Sequence, residues 1–306
     1  MTLDLSALSD APRLLIEAHL DPLQGTRFQP TGFPEIGPAQ YDGPCREPML
    51  LVESTQSMAN RLEAVCWDKV VDDWVAPLKG LSVVRVNDKS GKPLTNSVLE
   101  AHRINSEYIA RMPGFEPIRK AMGYEKDRRF SVREQLVPVL LAYDINSLLH
   151  GVFLEEVAGV IRLPRAVSAF VEARNVTTAS SGGVKVGLEP GQKSGDGNVI
   201  FARDEFVSPE IRAFFNVDLA QLRGYGLGDD VFQLLVALAL FKVRAFLESG
   251  LRLRTACDLK CTEVEVERPA GFALPTLADL AGALPALIDQ ARPDGGFQQP
   301  VVVYKK

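Results

Sequence analysis

The chain is poor in the residues and segments that secreted and membrane proteins need. Its 306 residues include only 4 cysteines, too few for a disulfide scaffold. The most apolar run, VFQLLVALALF, spans only residues 231–241, whereas a bilayer core requires about 20 residues. The N-terminal sequence MTLDLSALSDAPR has no basic stretch followed by an apolar run, as a secretory signal would. These absences predict a cytoplasmic protein without membrane contact.

Recognisable catalytic and metal-binding motifs are also missing. Cys257 and Cys261 are four residues apart, but Cys45 and Cys66 have no matching spacing, so buried thiols are expected rather than a zinc site. No nucleophile elbow, Walker A or HExxH sequence occurs. We therefore predict no catalytic centre, no metal and no cofactor.

Positive charge is concentrated in two internal windows of an acidic chain. The formal net charge is −5, which is not typical of a general nucleic-acid binder. Residues 85–133, however, contain 11 basic and 6 acidic side chains, and residues 160–203 contain 6 and 3. Such windows could form a groove for a polyanion. The alternative is ordinary variation of charge along a mixed surface.

Hydrophobic periodicity predicts a mixed α+β chain. Alternating apolar residues predict strands at 13–20, 167–174 and 251–259, while helical spacing predicts helices at 54–66 and 229–247. Residues 148–158 fit either a strand or a short helix, and Gly and Pro predict irregular structure from 23 to 48. A helix near 277–291 and a strand at 301–304 complete the chain.

The order of these elements matches a modified RRM-like (ferredoxin-like βαββαβ) core. We expect one domain over residues 1–306, with insertions at about 68–147 and 177–226. The glycine-rich residues 177–203 contain two short apolar runs around a turn-rich centre, which predicts an extended hairpin.

Two polar segments have side chains suited to a phosphate–sugar backbone, namely amides, hydroxyls and arginines. The loop QGTRFQPTG follows the first predicted strand and contributes Gln24, Arg27, Gln29 and Thr31. One face of the first helix contributes Gln56, Ser57, Asn60 and Arg61. The alternative for both segments is an incidental polar surface.

Several sequence blocks together resemble the backbone subunit of the type I-G (formerly I-U) CRISPR surveillance complex, Cascade, within the RAMP superfamily. The blocks are QGTRFQPTGFPEIG, MLLVESTQSMANRLEAVCWD, LEAHRINSEYI, LLHGVFLE, RLPRAVSAFVEARNV and LRLRTACDL. They occur in the family's order between about Arg13 and Leu259.

The resemblance implies a non-catalytic, RNA-binding protein of antiviral defence. Copies would polymerise head to tail into a helical ribonucleoprotein along CRISPR RNA, contact other Cascade subunits, and present the guide for pairing with target DNA. Besides the loop and helix-face residues, it implies that the guide is contacted by His102, Arg103, Asn105, Arg162 and Arg165. The hairpin with Lys185 and Lys193 is the candidate thumb, an assignment that depends on composition.

A CRISPR-RNA-processing endoribonuclease of the same superfamily remains an alternative. Such an enzyme needs a general acid–base beside the scissile phosphate, and His19 or His150 could serve. Neither histidine has an accompanying partner pattern. A metabolic α/β enzyme is less favoured because no cofactor motif is present.

Overall fold

Strand β1 (Arg13–Pro22) lies inside a seven-stranded antiparallel sheet. The structure is a computed structural model that describes residues 3–33, 36–159, 161–186 and 198–305. The remaining strands of this sheet are β5 (Gln40–Asp42), β6 (Pro48–Glu53), β13 (Val167–Arg174), β16 (Glu210–Asp218), β17 (Arg252–Arg254) and β18 (Cys257–Arg268). Their order across the sheet is β17-β18-β1-β16-β13-β6-β5.

Along the sequence, most of the helices fall between these strands. They are α1 (Thr55–Ala64), α2 (Glu107–Ala110), α3 (Glu116–Ala121), α4 (Val137–Tyr143), α5 (Asn146–His150), α6 (Glu155–Ala158), α7 (Leu219–Gly224), α8 (Asp229–Glu248) and α9 (Leu277–Gln290). Short 3₁₀ turns occur at Ser6–Leu8, Ala76–Leu78, Arg103–Asn105 and Pro113–Phe115, and a π turn at Val132–Leu136. No helix within the described ranges is long and apolar enough to cross a membrane.

One face of the central sheet forms the core. Along β1, Leu14, Ile16, Ala18 and Leu20 are buried, and the alternate side chains are half-exposed. Helices α1 and α8 pack against the sheet, and the interior of α8 is apolar almost all round its axis. A helix of this kind must be enclosed by other elements, as the sequence predicted.

The chain also forms several smaller sheets outside the central one. Their strands are β2 (Arg27–Phe28), β3 (Gly32–Phe33), β4 (Gly37–Pro38), β7 (Trp67–Asp68), β8 (Asp73–Trp74), β9 (Arg85–Asn87), β10 (Pro93–Asn96), β11 (Val152–Leu154), β12 (Ile161–Leu163), β14 (Thr177–Val186), β15 (Asn198–Val207) and β19 (Val301–Val303). The C-terminal β19 runs parallel to β9, so the chain end closes onto the 68–147 region.

The structure corrects two expectations about the strands and decides a third that the sequence left open. Residues 210–218, expected inside an insertion, form β16, which pairs with both β1 and β13. Residues 148–158 contain the end of α5, then β11 and α6, and β11 pairs outside the central sheet with β12. Residues 23–48, expected to be irregular, include the short strands β2 to β5. In each case, pairing with a distant segment decides the structure of a locally ambiguous stretch.

The predicted strand at 251–259 is also divided in two. It forms β17 and the start of β18, which pair as a tight antiparallel unit around a residue with positive φ, Ala256. Its alternating side chains Leu251, Leu253, Cys257 and Leu259 are buried, as the periodicity indicated.

The glycine-rich segment forms a two-stranded hairpin, β14–β15, with Thr177 opposite Val207 and Val186 opposite Asn198. At its base, Phe206 pairs with Phe28 of β2, and both rings are buried. Residues 187–197, with Lys193, lie outside the described residues, and Lys185 is a β14 residue.

Candidate nucleic-acid interface

Six of the predicted guide contacts line one cleft of about 460 Å³. They come from three separate parts of the chain: the first turn of α1, the 102–105 turn, and the segment around β12. They are Gln56, His102, Arg103, Asn105, Arg162 and Arg165. The fold thus brings together polar residues that are more than a hundred positions apart in sequence.

Two arginines carry positive charge into this cleft, which also has the exposed Glu155 among its lining residues. Among the described residues, neither Arg162 nor Arg165 has an acidic partner within 4.0 Å. The guanidinium of Arg162 lies 4.5 Å from the ring centroid of Phe153, its partner across the β11–β12 pair, as in a cation–π contact. An Arg165 Nη1 donates to the carbonyl of Thr55 at 3.3 Å.

Arg165 is partly desolvated and has no acidic partner within 4.0 Å among the described residues. Burial lowers the pKa of Arg165 below its ordinary value, and the nearby positive charge of Arg103 lowers that pKa further. Glu63 raises this pKa in part, and an anion in the cleft would raise it further by adding a second opposite charge.

Gly151 allows two segments that line the cleft, its own and residues 163–165, to pack directly against each other. Its φ is +73°, and a Cβ at this position would lie 2.6 Å from the carbonyl oxygen of Leu163 and 2.9 Å from the backbone nitrogen of Arg165. Any side chain would therefore push the Arg165 segment away. The backbone N–H of Ala166 also donates to the carbonyl of Leu149 at 2.9 Å.

His150 contributes to the lining of the cleft from a fully buried position at the end of α5. Neither ring nitrogen has a hydrogen-bond partner among the described residues. Burial lowers its pKa well below 6.5, and the charges of Lys242, Arg103 and Arg165 add to this effect. The imidazole is therefore neutral at physiological pH.

Arg103 is positioned differently from the prediction. Its side chain is buried, and its guanidinium binds the carboxylate of Glu63 through Nε–Oε1 at 2.6 Å and Nη2–Oε2 at 3.0 Å. Asn146 donates to the same carboxylate and accepts from Lys242 Nζ at 2.7 Å. A guanidinium held in this way stabilises the interior, and a guide contact by Arg103, which also lines the cleft, stays a prediction.

Arg61 is also engaged within the protein. Its guanidinium binds the buried carboxylate of Glu53 at 3.2 Å and the backbone carbonyls of Arg252 and Leu253. Arg254 binds Glu53 too, and donates to the carbonyl of Gln29 at 3.1 Å. These bonds connect α1, β17 and the 24–32 loop, and a guide contact by Arg61 stays a prediction.

The 24–32 loop lies outside the cleft. Arg27 is 57% exposed and forms an ion pair with Glu205 at 3.1 Å, while Gln29 Oε1 accepts from Arg203 at 2.6 Å. Gln24 and Arg27 line a second depression of about 400 Å³ that also contains Glu205 and Asp258.

The other predicted polar residues are dispersed. The backbone N–H of Thr31 bonds the carbonyl of Val52, and the backbone N–H of Ser57 bonds the Ser54 Oγ that caps α1. Asn60 is exposed on α1, but only Gln56 of that helix face lines the cleft.

A third histidine lies on the open face of the central sheet. Potential ligand atoms of His19, Glu263 and Glu265 lie within 4.8 Å of one another. Both glutamates are exposed, and neighbouring strands often bring such side chains together. We assign no metal to this group.

The sequence did not indicate three important parts of the cleft. Gly151 and Phe153 lie in an apolar run that looked like core, and Phe153 is nevertheless exposed. His150 was considered only as a general acid–base. The pattern LLHGVFLE contains the signal, since it interrupts the apolar run with His and Gly, but periodicity alone gives it no meaning.

Comparison with known proteins gives one family match. The sequence model of the family CRISPR-associated protein GSU0053 (Cas_GSU0053) matches residues 14–178, more than half of the chain. No curated protein sequence matches.

Solved structures with a related arrangement include two chains of assemblies described as CRISPR RNA-guided surveillance complexes, the first of them pre-nicking. The first has 15% identity and a TM-score of 0.45 over 91% of this chain and 88% of that chain. The second has 14% identity and a TM-score of 0.39 over 91% and 83%. Csc2 of Thermofilum pendens has 9% identity and a TM-score of 0.33 over 95% and 81%. With TM-scores below 0.5, the family assignment depends on the sequence model alone.

Proposed function

The chain belongs to the CRISPR-associated protein GSU0053 family, and we propose that it is the RNA-binding backbone subunit of a type I-G Cascade complex. It holds CRISPR RNA and does not cut it. The single observation that carries this proposal is the convergence of Arg162 and Arg165, both without carboxylate partners among the described residues, in a cleft with Gln56 and His102.

The chemistry of the cleft suits the backbone of any RNA sequence. Arginine guanidinium groups bind phosphate oxygens, and amide and imidazole groups hydrogen-bond phosphate or sugar. Such contacts carry no sequence information, which a guide-holding subunit needs because each guide differs. The exposed ring of Phe153 beside Arg162 offers a surface on which a base of any identity can stack.

Sheet topology supports an RRM-like core of the RAMP type. Four strands lie in the order β18-β1-β16-β13, all antiparallel, with α1 after β1 and α8 before β17 and β18. This order supports a ferredoxin-like βαββαβ unit, to which β6, the strand before α1, is added at one side of the sheet. Insertions then lie between α1 and β13 and between β13 and β16.

Within the assembly, the β14–β15 hairpin serves as the thumb that reaches a neighbouring copy. The hairpin, with the 24–32 loop at its base, extends the guide path beyond one subunit, and Lys185 and Lys193 are the proposed RNA contacts of this segment. Copies stacked along the RNA form a helical filament in the cytoplasm, with other Cascade subunits at its ends, and present the guide for target DNA pairing.

The proposal is tested by purifying the chain from a host that expresses a CRISPR array. We expect multimers with bound, nuclease-protected RNA, and no cleavage of repeat RNA or duplex DNA with or without magnesium. The Arg162→Gln/Arg165→Gln variant should lose most of the bound RNA. The matched control is Arg128→Gln/Arg292→Gln, which removes two exposed charges outside the cleft and should retain RNA. RNA-free protein, equal loss in both variants, or cleavage abolished by His19→Ala or His150→Ala would contradict the proposal.

A further inference from the structure

We propose that the inner end of the cleft is a ribose subsite, in which His150 hydrogen-bonds a 2′-hydroxyl and so makes the chain prefer RNA to DNA. This inference depends on the proposed function, since it concerns the same cleft. It assigns to His150 a role in selecting the sugar, distinct from the phosphate contacts of Arg162 and Arg165.

The starting observation is an unsatisfied buried side chain. His150 is fully buried, lines the cleft, and has no partner at Nδ1 or Nε2 among the described residues. Buried polar atoms nearly always have a partner, because leaving one unpaired costs free energy. Two unpaired nitrogens on one ring, beside a cleft of about 460 Å³, indicate that a bound group supplies the missing hydrogen bond.

The charge state of the His150 ring determines which kind of ligand group can hydrogen-bond it. Because the ring is fully buried, and because Lys242, Arg103 and Arg165 add positive charge nearby, the pKa of His150 is lowered and the ring stays neutral. A neutral imidazole has one donor nitrogen and one acceptor nitrogen. A phosphate oxygen can only accept, whereas a hydroxyl both donates and accepts, so a hydroxyl can satisfy whichever nitrogen faces the cleft.

The neighbouring residues place this subsite next to the phosphate groups. His150 precedes Gly151, whose missing Cβ allows the backbone of residues 163–165 to lie directly against it. Arg165 follows on that segment, so His150 lies near an arginine that lines the same cleft and has no acidic partner within 4.0 Å among the described residues. In RNA, a 2′-hydroxyl and a phosphate likewise belong to adjacent parts of one nucleotide.

Discrimination between RNA and DNA follows from the free-energy cost of leaving the His150 imidazole without a hydrogen bond. A site with a buried polar group rejects an analogue that lacks the matching hydroxyl, because the group stays unsatisfied in that complex. At typical costs, we expect RNA to bind about tenfold more tightly than DNA of the same sequence. If His150 were only a core residue, substitution would weaken RNA and DNA binding equally.

The test compares three single strands of one sequence: RNA, DNA and 2′-fluoro RNA, which keeps the RNA-like sugar conformation but lacks the hydroxyl donor. The wild-type chain should prefer RNA to both by about tenfold. His150→Phe should lose this preference by weakening RNA binding alone, and His150→Gln, which keeps a donor and an acceptor, should retain part of it. The control His19→Phe changes a histidine outside the cleft and should retain the full preference.

Equal wild-type affinity for RNA and 2′-fluoro RNA would overturn the ribose subsite, and this comparison needs no variant to fold. An undiminished RNA preference in His150→Phe would overturn it too. If binding depends on Arg162 and Arg165 but shows no sugar preference, only the subsite fails. If the chain binds no RNA, or binds it equally well without those arginines, the proposed function itself fails.

Discussion

Arg103 and Glu63 form a buried, bidentate ion pair beneath the cleft, with nitrogen–oxygen distances of 2.6 and 3.0 Å. Glu63 lies on α1 and Arg103 on the 102–105 turn, so the pair holds two walls of the cleft together. Lys242 joins this network through Asn146, which places two buried cations near one glutamate.

We expect Glu63→Gln to destabilise the chain strongly. The substitution leaves Arg103 and Lys242 without their buried counter-charge, and removing one partner of such a pair typically costs about 3–5 kcal/mol of unfolding free energy. Urea denaturation measures this loss. Glu125→Gln breaks the exposed pair with Arg128 and is the control, expected to change stability little. Similar losses in both variants would contradict the structural role of the buried pair.

Asp144 should make stability depend on pH. Burial raises its pKa from 3.8 to about 6, although its carboxylate accepts from Ser147 Oγ at 2.6 Å and from Ser97 Oγ at 3.2 Å. The folded state therefore holds a proton that the unfolded state releases near pH 4. The resulting stability is full below about pH 4 and is lost as the pH rises through about 6, on the order of 3 kcal/mol in total.

Asp144→Asn removes this titration. The difference in unfolding free energy between wild type and variant should therefore shift in favour of the variant between about pH 4 and pH 7. Urea denaturation of both proteins across this range tests the prediction, and titrations shared by the two chains, such as that of His150, cancel in the difference. A difference that does not vary with pH would show that Asp144 has an ordinary pKa.

The sequence predicted those elements whose periodicity is strong in a single segment. Strand β1, helix α8 and β13 agree with the pattern because each buries one face, or all faces, of a regular element. Strand β16 was missed although Ile211, Ala213, Phe215 and Val217 alternate, since the glycine-rich segment before it suggested that the insertion continued. Only pairing with β1 and β13 identifies it as part of the central sheet.

For the candidate site, the sequence predicted which residue types are present. It did not predict which of their side chains are free of acidic partners and can therefore bind a ligand. Arg61, Arg103 and Arg162 are the same residue type in the sequence. In the structure, Arg61 binds Glu53 and Arg103 binds Glu63, whereas Arg162 has no acidic partner among the described residues. Those glutamates lie 8 and 40 positions away from their arginines, and no local pattern connects them. Pairing in three dimensions therefore decides which positive charges remain for a ligand.

Arg61→Gln should reduce stability rather than change the salt dependence of RNA binding. Arg61 is 26% exposed, and its bonds to Glu53 and to the carbonyls of β17 hold α1 against that strand. Losing them should cost about 1–3 kcal/mol, as measured by urea denaturation. Arg27→Gln, at a more exposed ion pair, should leave stability nearly unchanged. If Arg61→Gln were as stable as wild type but bound RNA with a flatter salt dependence, Arg61 would be a phosphate contact after all.

Shortening the β14–β15 hairpin should affect assembly more than folding. Replacing residues 182–202 by a short Gly/Ser linker keeps Phe206 and Phe28 paired at the hairpin base. The thermal midpoint should stay close to that of wild type, because the buried pair Phe28 and Phe206 at the base is kept. Nuclease protection of guide RNA should lose its regular spacing. A regular footprint in the shortened protein would assign the thumb to another segment, such as the 85–133 insertion.

The salt dependence of RNA binding tests the central claim most directly, that Arg162 and Arg165 hold guide phosphates. Each phosphate contact to a single strand contributes about −0.7 to the slope of log affinity against log salt. Arg162→Gln/Arg165→Gln should therefore flatten the slope per bound subunit by about 1.4, equally for two unrelated guide sequences, between about 50 and 300 mM salt. Arg128→Gln/Arg292→Gln should leave the slope unchanged. An unchanged slope in the cleft variant, or a loss confined to one guide sequence, would contradict the account.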